Sequence, residues 1–129
     1  MSVKTVAVLG ASNKEGRYSG IAQKLLMEKG YDVVPISFRG GEVLGLESYK
    51  SIDEAPRSID TLTVYVGPLH LHRYVDQIVR SDIRRVILNP GTESEPVKQQ
   101  LQAAGKKVVE ACTIVLLKTN QFDDAIEVE

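Results

Sequence analysis

A doubly wound α/β fold, with a mostly parallel five-stranded sheet in a single domain, is the architecture this chain predicts. Three observations lead there. Short continuous apolar runs of strand length alternate along the chain with stretches whose apolar residues recur at helical spacing. Strands joined through helices imply right-handed crossovers, which put helices on both sheet faces and the first strand near the centre. A length of 129 residues suffices for one ordinary core, and not for a nucleotide domain plus a separate substrate domain.

The elements follow in order. Residues 3–9 read as a continuous apolar strand, and Ile21, Ala22, Leu25 and Leu26 mark a helix that Gly30 ends. A second strand covers 33–36. Residues 38–49 contain three glycines and no clear period, which makes them loop with a short edge strand around Val43 and Leu44. Ser51-Ile52-Asp53-Glu54 has capping-box spacing, and Pro56 stops that short helix almost at once. The next buried strand covers 62–66, Pro68 suits the first turn of a helix over 68–81, and 85–88 form another strand. Asn89-Pro90-Gly91-Thr92-Glu93-Ser94 then turns into a helix carrying Val97 and Leu101 on one side, closed by Gly105 and followed by a strand at Val108-Val109. Residues 114–117 fit helix and strand equally, since so short a run has no decisive period. The domain is expected over 1–122, with an acidic, frayed tail over 123–129.

Bulk properties narrow the function. A net charge of −1, from 16 Lys and Arg against 17 Asp and Glu, gives no basic footprint for nucleic acid. The apolar runs are too short to span a membrane, and the first residues lack the pattern of a signal peptide, so a cytoplasmic location is expected. The single cysteine, Cys112, excludes an internal disulfide framework, and a free cysteine of this kind is usually a small buried hydrophobe.

The most informative segment is the loop that follows the first strand: Gly10-Ala11-Ser12-Asn13-Lys14-Glu15-Gly16-Arg17-Tyr18-Ser19. A strand-to-helix turn of small residues binds anions, because the first N–H groups of the helix have no intrahelical partner and carry the positive end of its dipole. Gly10 and Gly16 remove bulk there, Ser12 and Ser19 add hydroxyls, and Lys14 and Arg17 add charge beside a diphosphate. An NAD site normally has G-x-G-x-x-G and, about 20 residues on, an acid for the ribose diol. Neither is present in standard form. The second strand instead leads into Ser37-Phe38-Arg39, where Arg39 suits a ribose bearing an extra phosphate, as in coenzyme A or NADP, or is simply a solvated loop charge.

The phrase Val6-Ala7-Val8-Leu9-Gly10-Ala11-Ser12, then Gly16-Arg17-x-Ser19 and Gly30-Tyr31-x-Val33-x-Pro35-Ile36, resembles the small stand-alone CoA-binding proteins related to the nucleotide-binding domain of the succinyl-CoA synthetase alpha subunit. The resemblance continues through Glu42-Val43-Leu44-Gly45, Tyr49-x-Ser51-Ile52, Ile59-Asp60 and Glu110-Ala111-Cys112, so it covers nearly the whole chain. It implies a Rossmann-like fold holding coenzyme A or an acyl-CoA, with the diphosphate at the first loop, the adenosine end near the exit of the second strand, and pantetheine running past later strand ends. Departures are Ser37-Phe38 where many relatives have Asn-Pro, Asn89-Pro90-Gly91-Thr92 where a glutamine-glycine phrase is common, and Glu110-Ala111 where Asp-Arg is frequent.

Further candidates sit at strand exits. Val66, Gly67 and Pro68 lie beside the topological switch point, where Gly67 admits a ligand close to backbone or merely shapes the start of a helix. His70 lines the same crevice in this reading. His70 and His72, two residues apart on a helix, point in different directions, so no metal site is expected. Asn89 and Thr92 are placed to contact pantetheine amides, although as turn and cap residues they need no ligand. No nucleophile–base pair or paired acids stand at recognisable spacing, and fold alone supplies no activity. The chain therefore reads as a CoA-binding module without chemistry of its own. The alternatives are a small NADP-binding oxidoreductase or redox sensor and a detached subunit of an acyl-CoA synthetase. The expected partners are a small nucleotide ligand and, among proteins, a second copy of the chain or an acyl-CoA enzyme; nucleic acid and membrane are not expected.

Overall fold

In the computed structural model, which describes residues 4–14 and 16–123, the first apolar run becomes strand β1, Thr5–Leu9. Val6, Ala7, Val8 and Leu9 are all buried, as a strand with neighbours on both edges and helices on both faces must be. Helix α1 (Tyr18–Glu28) follows, then β2 (Asp32–Ile36). A small antiparallel hairpin, β3 (Glu42–Val43) and β4 (Leu46–Glu47), comes next, and one 3-10 turn covers Ile52–Glu54. The rest of the chain runs β5 (Thr61–Val64), α2 (Pro68–His72), α3 (Val75–Val79), β6 (Arg85–Leu88), α4 (Glu95–Ala103), β7 (Lys107–Glu110) and α5 (Thr113–Lys118).

The main sheet has five strands in the order β2-β1-β5-β6-β7, every neighbouring pair parallel, so the predicted doubly wound, Rossmann-like fold holds. Alternate residues of each strand face opposite layers. Ala7, Leu9, Val34, Ile36, Leu62, Val64, Val86 and Leu88 pack with Leu71, Val75, Ile78, Val97 and Leu101 of α2, α3 and α4. Val6, Val8, Val33, Ile87 and Val109 pack on the other side with Leu26 of α1, Leu117 of α5 and Phe122.

Three expectations change in detail, and one alternative left open is settled. The helix expected over 68–81 is broken into α2 and α3, because Arg73 and Tyr74 donate to His70 and Leu71 three residues back and tighten the turn between them. Leu71, Val75 and Ile78 keep one apolar face across that break, which is why periodicity alone reads it as continuous. The strand expected over 62–66 ends at Val64, leaving Tyr65 and Val66 as loop. Ser51 forms no side-chain cap; the Ile52 N–H instead donates to Gln77 Oε1 of α3 at 2.8 Å. The ambiguous 114–117 segment is helical, inside α5.

The end of the described chain packs on the core. Arg85, 1% exposed at the start of β6, donates to Thr61 Oγ1 at 3.1 Å and to the Phe122 carbonyl at 2.6 Å. Its guanidinium lies 4.6 Å from the Phe122 ring centroid, and burial pushes its pKa below the usual arginine value. Phe122 also meets Tyr31 edge-on at 5.1 Å, and the Tyr31 hydroxyl donates to Asp123 Oδ1 at 2.6 Å. Residues 124–129 of the expected tail lie outside the described residues.

Candidate functional site

The chain leaves β1 for β2 on one side and returns to β5 on the other, so a crevice opens beyond the carboxyl ends of these three strands. Backbone bonds tie their exits together. The N–H groups of Gly10 and Ala11 both donate to the Ile36 carbonyl, at 3.0 and 3.1 Å, and Tyr65 N–H donates to the Leu9 carbonyl at 2.8 Å. Gly10 is required by this close approach. It has φ +93°, and an added Cβ would lie 2.9 Å from Val66 Cγ1 and 3.1 Å from the Tyr65 carbonyl.

A cavity of about 640 Å³ occupies the crevice. The first loop supplies Gly10, Ala11, Ser12, Asn13, Lys14 and Arg17 to its lining, and the exit of β2 supplies Phe38 and Arg39. From the exit of β5 come Tyr65, Val66 and Gly67, and from α2 and the turn after it come His70, Arg73 and Tyr74. Among the described residues that line it, Lys14, Arg17, Arg39 and Arg73 are cations and none is a carboxylate, although the chain as a whole is slightly acidic. Such one-signed lining in a concave site focuses a positive field on whatever enters it.

Donors in the loop point the same way. The Ser12 hydroxyl accepts the Lys14 N–H at 3.1 Å and shapes the turn. The N–H groups of Ser12 and Asn13 have no acceptor among the described residues, and Tyr18 and Ser19 open α1, where no intrahelical acceptor exists. Phe38 is 73% exposed on the rim, with the Arg39 guanidinium 5.6 Å from its ring centroid. On the opposite wall, burial pushes the pKa of the Tyr65 hydroxyl up to about 12, against the lowering effect of the Thr63 and Thr113 hydroxyls, which bond each other at 2.8 Å.

Five residues singled out from the sequence do not line this cavity: Gly16, Ser19, Pro68, Asn89 and Thr92. Gly16 is exposed on the outer side of the loop, Ser19 is buried in α1, and Pro68 starts α2. Asn89 and Thr92 are turned inward. Asn89 Nδ2 donates to Thr63 Oγ1 and to the Val64 carbonyl, both at 2.8 Å, and its Oδ1 accepts the Thr113 N–H at 2.8 Å, which starts α5. The Thr92 hydroxyl donates to the Asn89 carbonyl at 2.8 Å. The reason is packing: Asn89 is 2% exposed, so its amide must be satisfied internally, and it is.

Sequence reasoning missed Arg73, Tyr74 and Tyr65. Arg73 and Tyr74 stand three and four residues after His70, the spacing that puts helical neighbours on one face, so His70 was the signal that pointed to them. Among the described residues no group of three or more His, Cys, Asp or Glu is arranged to hold a metal, and no helix is long and apolar enough to cross a membrane.

Known proteins share this fold. The family described as CoA binding domain matches residues 4–118. The chain belongs to that family. Within it, the chain resembles an uncharacterized protein, YneT, of Bacillus subtilis, with 26% identity over 106 residues that make up 82% of this chain and 78% of that one. It also resembles the alpha subunit of an ADP-forming acetate–CoA ligase of Pyrococcus furiosus, 28% identical over 116 residues, covering 81% of this chain and only 25% of the subunit. Among solved structures, an uncharacterized protein matches with 31% identity and a TM-score of 0.86 over 95% of this chain and all of that one. A hypothetical protein from Pyrococcus horikoshii OT3 matches with 30% identity and a TM-score of 0.86, over 91% of this chain and 83% of the other. The CoA-binding domain assignment lends the NADP alternative no support.

Proposed function

We propose that this CoA-binding domain holds coenzyme A or a short acyl-CoA in the cavity and works as a carrier or sensor with no chemistry of its own. The observation that carries this reading is the lining: four cations and, among the described residues, no carboxylate, gathered from three separate chain segments at the switch point of the sheet. Coenzyme A presents a diphosphate and a ribose phosphate, and guanidinium and backbone N–H groups are the donors that match phosphate oxygens. In this reading the diphosphate lies on the first loop, at Ser12, Lys14 and Arg17. Phe38 and Arg39 receive the adenosine end, and pantetheine leaves past Gly67 and His70. The cavity volume falls within the range of about 300–1,000 Å³ usual for small-molecule sites. A cytoplasmic location belongs to the same reading.

Isothermal titration of the purified chain with CoA and with NAD in one buffer tests it. CoA is expected to bind more tightly, and equal or tighter binding of NAD overturns the assignment. The variant Ser12→Leu, at a half-buried loop position, is expected to fold and to lose CoA binding. Unchanged affinity in a folded variant moves the site elsewhere.

A second reading has its own support. The ligase relatives are far longer: the chain spans 25% of the Pyrococcus furiosus subunit and 17% of an ADP-forming acetate–CoA ligase of Methanocaldococcus jannaschii. In that reading the chain presents CoA to a separate catalytic protein, and a co-purifying ligase chain would favour it.

A further inference from the structure

Asn13 lines the cavity, yet its side chain is committed elsewhere. Its Oδ1 accepts the Leu44 N–H at 2.8 Å, and its Nδ2 donates to the Glu42 carbonyl at 2.7 Å, so both ends of one carboxamide grip the β3–β4 hairpin about thirty residues along the chain. From beneath, Gln23 of α1, fully buried, donates to the Val43 carbonyl at 3.1 Å. The gripped turn is an unusual one. Leu44 has φ +51° and Gly45 φ +86°, the pair of left-handed residues that a two-residue primed hairpin needs, and leucine adopts such a φ at a cost. Val43 of the same hairpin lines the cavity.

The first loop has little else to hold it. Between Ala11, tied to the Ile36 carbonyl, and Arg17 at the start of α1, the other bonds of the described residues are local: Lys14 N–H to the Ser12 hydroxyl, and Arg17 N–H to the Lys14 carbonyl. We propose that Asn13 is a positioning residue: by clamping the hairpin it fixes the first loop against the cavity wall, so that the Ser12 and Asn13 N–H groups meet the diphosphate, while its own side chain touches no ligand. The proposal rests on the CoA reading above. It names what that reading leaves open, namely how a short exposed loop keeps its donors aimed.

A double-mutant comparison tests it, with CoA affinity as one readout and backbone amide shifts of the ligand-free protein as the other. Asn13→Ala removes the clamp from the loop side. Gly45→Ala strains the same turn from the hairpin side, at a position outside the cavity lining where an added Cβ meets no atom within 4 Å. Each single change is expected to weaken CoA binding about tenfold, and the double variant no more than Asn13→Ala alone, because both act through one coupling. Gly45→Ala is also expected to move the Ser12 and Lys14 amide signals of the free protein. If Asn13 contacts the ligand directly, Asn13→Ala weakens binding while Gly45→Ala changes neither affinity nor those signals, and the proposal fails. CoA binding that survives Asn13→Ala refutes the positioning role alone. An unaltered protein that takes up no CoA refutes the ligand reading and the positioning role with it.

Discussion

Arg39 and Asn89 show what a side chain's surroundings decide. Arg39 is exposed at the cavity rim, with its guanidinium over the ring of Phe38 and no ion-pair partner among the described residues. A charge so placed is available to a ribose phosphate. A hydrogen bond to a charged group is worth about 1.5–3 kcal/mol, and solvent exposure holds this one near the lower end, or roughly tenfold in affinity. CoA is therefore expected to outbind dephospho-CoA. Arg39→Ala should erase most of that preference while leaving dephospho-CoA affinity nearly intact, and titration of both ligands into both proteins checks it. A variant that keeps the full preference makes Arg39 a solvated loop charge. Asn89 is the opposite case. Its residue type and its place at a strand exit suit a ligand contact, but its neighbours Thr63 and Thr113 are 26 and 24 residues away, so the sequence carries no local sign that they consume its amide.

At the scale of elements, periodicity located every strand of the main sheet, because a strand buried on both faces reads as an unbroken apolar run. Where a feature depends on contacts between distant elements, the same reading stops short. The break between α2 and α3 leaves the apolar spacing intact, and the sequence marks a short edge strand around Val43 and Leu44 without showing that Asn13 and Gln23 bond to the β3–β4 hairpin. The segment after α5 is a third instance. Phe122 is 2% exposed, held between Tyr31 and the guanidinium of Arg85, a large side chain that is itself 1% exposed. Phe122→Ala removes that packing and admits water to a charge whose burial was compensated, so a loss of about 3 kcal/mol is expected in denaturant unfolding. CoA affinity should not change, since Phe122 lies outside the cavity lining. A stability loss under about 1 kcal/mol would mean that the segment merely rests on the core.

The whole molecule joins these levels through its topology. Placing β1 between β2 and β5 brings three loops to one crevice, and it is the sum of their side chains, not any one motif, that makes the cavity cationic in a slightly acidic chain. The first loop was legible from its glycines and serine. The contribution of Arg73 was not, because it depends on how α2 lies across the end of the sheet. The chain matches a quarter or less of the longer ligase relatives. The central claim is that one ligand, coenzyme A, occupies this one crevice. Mapping backbone amide shifts while CoA is added tests ligand and place together. The largest changes are expected at Ser12, Asn13, Tyr18, Arg39 and Gly67, with little change at Asn89 and Thr113, and NAD at the same concentration should produce weaker changes. Changes centred on residues 89–92, or a response to NAD that equals the response to CoA, would contradict the account.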